Sequence, residues 1–201
     1  MKPGRILAVA PLCFVLFDGG VEAAPKHVSP VTTAAQSGHS VVSRSAVYAA
    51  LSGHWTGSLE YRDFQTDKRV TLPTVLEITA VESQSAVQFA YTYDDGPGKI
   101  VREKATIRIP DPGNRYIVKD EDGSESVYTI ASAKGFSGTG SGKLILAGTG
   151  TDNNKPVEVR TTLEVTEKSL VILRETKLAG EDFKFRHQYS FARATSEKPA
   201  Q

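Results

Sequence analysis

Near its C-terminal end the chain reads Phe183-Lys184-Phe185-Arg186-His187-Gln188-Tyr189-Ser190-Phe191-Ala192-Arg193. Aromatic rings and an imidazole alternate with charged and polar side chains, and a period of two is that of a strand with one face in a core and the other in water. Phe183, Phe185, His187, Tyr189 and Phe191 are therefore expected on the dry face, and Lys184, Arg186, Gln188 and Ser190 on the wet one. A single bulge between Phe185 and Tyr189 would reverse this assignment, because a slip of one residue moves a side chain to the other face.

Working back towards the N-terminus, the same split recurs. Trp55, Gly57, Leu59 and Tyr61 share one parity, as do Val70, Leu72, Leu76 and Ile78; Val87, Phe89, Tyr91 and Tyr93; and Val101, Ala105, Ile107 and Ile109. Segments 116–119, 127–130, 144–146, 157–165 and 170–176 continue the series. Between them lie Asp94-Asp95-Gly96-Pro97-Gly98, Asp111-Pro112-Gly113-Asn114, Asp120-Glu121-Asp122-Gly123 and Thr151-Asp152-Asn153-Asn154, residues whose preferred dihedrals suit tight reversals. Short turns imply antiparallel neighbours, and no helical segment is long enough for a parallel crossover. The pattern predicts an all-β domain: a closed antiparallel up-and-down barrel of about eight to ten strands, whose closure removes exposed edges. A two-sheet sandwich is the alternative, since patterning does not say whether the first and last strands meet. The faces opposite the aromatic rows carry Glu60, Arg62, Arg102, Lys104, Arg108, Glu158, Arg160, Lys184 and Arg186, the reverse of what a lipid-facing barrel wall needs, so the expected barrel has a dry interior.

Ahead of the strands, Arg44 to Leu51 favours a short helix, capped by Ser43 or Ser45 and stopped at Gly53. Residues 24–43, rich in Ser, Thr, Ala and Pro, read as a flexible leader that cannot bury enough apolar surface to order itself. Residues 1–23 read as an export signal: Lys2 and Arg5, then an apolar run from Ile6 to Phe17, then Val21-Glu22-Ala23 with cleavage after Ala23, since Pro25 obstructs the next bond. The expected division is thus signal 1–23, leader 24–43, barrel 44–195 and a disordered tail 196–201, and the expected location periplasmic or secreted, without membrane insertion once the signal is removed. Cys13 and Met1 are the only cysteine and methionine, so cleavage would leave a mature chain without thiols. With 24 Lys plus Arg against 23 Asp plus Glu there is no broad field to attract nucleic acid, and no nucleic-acid partner is expected.

Several chemical motifs fail on spacing. Gly138-Thr139-Gly140-Ser141-Gly142-Lys143 lacks the first glycine of a phosphate loop and runs into a strand rather than a helix. Asp120 to Glu125 lacks calcium-loop spacing, and the histidines at 27, 39, 54 and 187 show no paired spacing for a metal. There is no G-x-S-x-G elbow. Neither a metal nor a catalytic residue is expected.

Leu51-Ser52-Gly53-His54-Trp55, at the entry to the first strand, resembles the Gly-x-Trp opening of the calycins, the superfamily of lipocalins and fatty-acid-binding proteins. The resemblance spans roughly residues 49–194 as architecture and matches Gly53 and Trp55 as motif residues. It implies a barrel sealed at one end by Trp55, with Arg193 packed across the indole face as the closing partner. It also implies a small, largely apolar ligand in the barrel, for which His187, Tyr189, Tyr61 and Phe185 are the candidate lining residues. About ten strands suit the fatty-acid-binding or nitrobindin-like branch. Nitrobindin-like proteins hold haem through a histidine near the C-terminus, but the surroundings of that histidine are not matched here; haem stays an alternative and no cofactor is expected. His187, buried by its parity, needs a hydrogen-bond partner, either Tyr61 or Tyr189 in a satisfied core or a ligand. Two other functions stay open: a protein-binding or structural module with a filled barrel, using loops 94–99 or 135–142, and a cofactor-free, isomerase-like enzyme using His187 and Tyr189. Oligomeric state is not legible.

Overall fold

The computed structural model describes residues 42–63, 66–81, 85–136 and 140–194. The signal, nearly all of the leader, the start of the glycine-rich loop at 138 and the tail at 196–201 lie outside the described residues. One helix, α1 (Arg44–Leu51), precedes ten strands: β1 (Gly53–Arg62), β2 (Arg69–Val81), β3 (Ala86–Asp94), β4 (Ile100–Arg108), β5 (Arg115–Asp120), β6 (Glu125–Gly135), β7 (Gly142–Asp152), β8 (Lys155–Val165), β9 (Ser169–Lys177) and β10 (Lys184–Arg193). Each strand pairs antiparallel with its sequence neighbour, and β1 pairs with β10 from Trp55 opposite Arg193 to Tyr61 opposite His187, which closes the barrel. That pairing decides for the barrel and against the sandwich. Gly57 makes the seam possible, because a Cβ there would stand 1.9 Å from the Ser190 carbonyl oxygen.

The inward rows form one core. Trp55, Leu76, Ile78, Val87, Phe89, Tyr91, Tyr93, Ile107, Leu144, Leu163, Leu170 and Phe191 are all buried, each side chain of this size contributing about 1.5–3 kcal/mol by leaving water. Among the described residues no helix is long and apolar enough to cross a membrane.

The helix plugs one end through Val47, Ala50 and Leu51. Neither expected cap residue caps it by side chain: the Ser43 hydroxyl meets that of Ser45 instead of a backbone N–H. The Tyr48 hydroxyl fastens the plug, accepting from the Ile109 N–H at 2.8 Å and donating to the Ser85 carbonyl at 3.1 Å. The chain then turns at Gly53, whose φ of +132° suits glycine and whose missing Cβ leaves room for Arg193 Nη1.

At the other end the last strand departs from its alternation. The β10–β9 register shifts between Phe185 and His187. Below the shift His187 is opposite Arg174 and Tyr189 opposite Ile172, both in the inward row of β9. Above it Phe185 is opposite Glu175, which carries an outer-wall ion pair with Arg160. Phe185 therefore belongs to the outer face, with the Arg69 guanidinium 3.8 Å from its ring centroid, and Phe183 lies under Arg160 at 4.2 Å. The expectation that Phe183 and Phe185 line the interior is corrected: one extra residue in the strand reverses everything on its N-terminal side. Arg186, expected outside, is the residue at the shift, and its side chain is largely buried at the rim.

Candidate functional site

At the plugged end, the Arg193 guanidinium carbon lies 4.0 Å from the Trp55 ring centroid. Its nitrogens donate to three backbone carbonyls, those of Ser52 at 2.7 Å, Ala50 at 2.9 Å and Glu167 at 2.9 Å. Trp55 Nε1 donates to the Leu51 carbonyl at 2.9 Å. Every polar group of this cluster has a backbone partner, so Gly53, Trp55 and Arg193 hold helix, first strand and last strand together and leave nothing to bind with.

The barrel interior holds a cavity of about 40 Å³. Its wall is mostly apolar, with Phe89, Ile107, Leu146, Leu163 and Ile172, and polar where Tyr128, Arg174, His187 and Tyr189 converge. Arg174 is buried in the inward row of β9, the position after Leu170 and Ile172 at period two. Its Nη1 donates to the Tyr128 hydroxyl at 3.2 Å. Among the described residues no carboxylate forms an ion pair with it, in a place where an uncompensated charge is costly.

His187 stands beside it in register. Its ring meets Tyr189 edge-on, centroids 5.5 Å apart at 74°, and no described residue forms a hydrogen bond with it. Neither Tyr61 nor Tyr189 supplies the partner that a satisfied core histidine requires. Burial, reinforced by the Arg174 and Arg186 charges, lowers the imidazolium pKa to about 3, so the ring is neutral at physiological pH. Tyr61 pairs with His187 in register but is not part of the cavity wall; its phenol is pushed up by burial and by the Asp95 and Asp63 charges at the rim. Of the four expected lining residues, the structure thus brings His187 and Tyr189 to the cavity and leaves Tyr61 and Phe185 out of it.

Above the cavity the rim carries an open recess of about 300 Å³, bounded by Arg62, Asp152, Thr176, Leu178, Phe185 and Arg186 among others. Arg186 Nε pairs with Asp152 at 3.2 Å, and its Nη1 donates to the Arg62 carbonyl at 2.7 Å. The Thr176 hydroxyl donates to Asp152 at 2.9 Å. His187 lines the inner cavity and its chain neighbour Arg186 lines the recess, so the two spaces adjoin at the bulge.

A third polar group projects inward from β4. Glu103 shares the parity of Val101, Ala105 and Ile107, and accepts a hydrogen bond from the Tyr93 hydroxyl at 3.2 Å. The Tyr93 and Tyr189 hydroxyls lie 3.0 Å apart, with Tyr91 packed against both rings. Burial raises the Glu103 pKa against the opposing effect of the Tyr93 bond, and Asp120 and Glu121 raise it further. Sequence reasoning missed Arg174 and Glu103, although strict counting in steps of two from Ile172 and Ala105 reaches both.

The class defined by these observations is a closed ten-stranded antiparallel barrel, plugged at one end and holding a small, mixed-polarity cavity in its interior. No family model matches the sequence, and no curated protein matches it. Solved structures do match: Rv2717c from M. tuberculosis superposes with a TM-score of 0.53 over 78% of this chain and 100% of its own, at 13% identity. At that identity the likeness is one of fold alone.

Proposed function

We propose that this chain is an exported, calycin-like binding protein whose barrel takes a small, largely apolar acid, with the acid group held by Arg174 beside His187 and the Tyr128 hydroxyl. The observation that carries the reading is Arg174 itself, a buried cation on a cavity wall with, among the described residues, a single phenol as partner. Buried charges in proteins are paired, and even a whole buried ion pair can commonly be replaced by apolar side chains of similar volume without loss of stability. An arginine buried there with no carboxylate partner among the described residues is therefore explained by a counter-ion that arrives from outside. The apolar wall suits the rest of such a molecule. The cavity's 40 Å³ is the room of about three water molecules, which limits the occupant to a short acid.

A neutral His187 with a conjugate acid near 3 is a weak base, and the Tyr189 phenol is pushed above its ordinary value by burial, so both lie far from the neutral range that suits acid–base catalysis. Binding is thus favoured over an isomerase-like activity. The filled-barrel module is the second reading, and what favours it is the cavity's size, well below the roughly 300 Å³ at which ordinary ligand pockets begin.

Titration of the protein with propionate or butyrate, followed by NMR or calorimetry, separates the two. Saturable binding is expected in the wild type, weakened roughly thirtyfold or more in Arg174→Met by the lost charge-assisted contact. The same variant should be more stable than the wild type without ligand, since it no longer buries an unpaired charge. Absence of saturable binding, or unchanged affinity in Arg174→Met, refutes the proposal.

A further inference from the structure

We infer that the interior site prefers acids that carry a hydrogen-bond donor next to the carboxylate, a 2-hydroxy acid over the corresponding 2-oxo acid, because Glu103 fixes the direction of the Tyr93–Tyr189 hydrogen bond. This rests on the acid-binding reading and adds the chemical class of the acid.

The protons available fix that direction. A phenol has one proton to give. Tyr93 donates its proton to Glu103 Oε2, a carboxylate oxygen that can only accept. The 3.0 Å contact between the Tyr93 and Tyr189 oxygens must then use the proton of Tyr189. With that proton committed, any further hydrogen bond at the Tyr189 oxygen is one that it accepts. Tyr189 lines the cavity, and the Arg174 charge acts on its hydroxyl, so the two groups serve the same space.

Tyr128 and Arg174 have the complementary character. The Tyr128 oxygen accepts from Arg174, and no described acceptor takes the Tyr128 proton. Arg174 has guanidinium N–H groups beyond the one bonded to Tyr128, and those groups can only donate. The site therefore offers donors from β6 and β9 and, at Tyr189, an acceptor from β10, while the neutral His187 ring can serve as either. An occupant that satisfies both needs acceptor oxygens on one side and its own O–H or N–H on the other. A 2-hydroxy acid has that pattern within the space of a few atoms. A 2-oxo acid would set its keto oxygen against the Tyr189 lone pairs, and burying two acceptors against each other leaves both unsatisfied. Glu103 and Tyr93 touch no ligand in this account; they are positioning residues that act through Tyr189.

Affinities of L-lactate, pyruvate and propionate, measured by calorimetry at pH 8 to keep Glu103 ionised, test the inference, with propionate as the reference that has no group for Tyr189. The wild type should bind lactate roughly tenfold more tightly than pyruvate. In Tyr93→Phe the Tyr189 proton is released and can be donated to the ligand, so the lactate preference should vanish or reverse. Glu103→Gln is the second variant, in case loss of the Tyr93 hydroxyl unfolds the barrel. Its amide can donate to Tyr93, allow Tyr93 to donate to Tyr189, and so narrow the preference in the same direction. Equal binding of lactate and pyruvate by the wild type, or a preference that survives in both variants, overturns the inference and leaves the acid site standing. Failure of all three acids to bind the wild type overturns the acid site and the inference together.

Discussion

Acid should destabilise this barrel through His187, and the size of the effect follows from its surroundings. A histidine in an unfolded chain titrates near 6.5, whereas burial and the Arg174 and Arg186 charges lower the folded value to about 3. Between those values the unfolded state binds a proton that the folded state refuses. Stability therefore rises with pH in this window and falls as pH drops below 6.5 towards 3. Moving from pH 7 to pH 4.5 should cost about 2.5 kcal/mol if the imidazole stays fully desolvated, and about half that if water in the cavity hydrates the charged ring. Urea denaturation of the wild type and of His187→Gln at both pH values isolates this contribution, because the other titrating groups are common to both proteins and the glutamine does not ionise. The wild type should lose about 1–2.5 kcal/mol more than the variant over this interval. Equal losses would mean that His187 titrates normally and that the cavity wall is open to solvent, which would refute the account of a sequestered site.

Arg193→Met should destabilise the protein by about 2–4 kcal/mol in denaturant melts, since it removes three charge-assisted bonds to backbone carbonyls and the cation over Trp55, and a variant as stable as the wild type would deny the clamp its role. Gly57→Ala should cost more than about 4 kcal/mol or abolish cooperative unfolding, because its methyl group would occupy the space of the Ser190 carbonyl and part the β1–β10 seam; an ordinary loss of about 1 kcal/mol would mean that the seam yields easily. N-terminal sequencing of exported protein should begin at Ala24, and a chain that retains Met1 would refute the export reading.

The barrel was legible because each strand segment reports its own inside and outside, and ten such segments with short turns leave few ways to pair. The plugged end was legible through Gly53 and Trp55. The cavity was legible only in part, and the reasons are local. In Phe183 to Phe191 the alternation is as regular in the sequence as a flat strand would make it, yet the register shift beside Arg186 divides the row. Nothing in the residue types marks the bulge, which answers to the geometry of closing the barrel against β9. Arg174 was hidden differently. Leu170-Val171-Ile172-Leu173 is apolar on both faces, so the alternation that elsewhere separates core from solvent falls silent just before the arginine. Glu103 was passed over because a row read only for its apolar members, Val101, Ala105 and Ile107, skips the charged residue at the same parity. A polar residue in an inward row is the signal that such a reading discards.

The two inward-reaching arginines of the barrel make the functional argument by contrast. Arg193 lies where the fold must be sealed, and three backbone carbonyls at 2.7–2.9 Å satisfy it. Arg174 lies where the fold needs only a filler, flanked in its row by Ile172 and Thr176, and among the described residues a single phenol at 3.2 Å attends it. An apolar residue at 174 would continue the β9 row and relieve the barrel of a buried charge. The barrel closes at the other end without help from this residue, so closure does not explain it. Nor does the outer wall, since Arg174 faces inward. What distinguishes its position is the cavity, the neutral His187 beside it and the hydroxyl chain that runs from Glu103 through Tyr93 to Tyr189. Tyr128, Arg174, His187 and Tyr189 meet at the cavity wall, and Tyr93 and Glu103 stand behind Tyr189. The proposed acid, bound there, would offset the cost of burying them together.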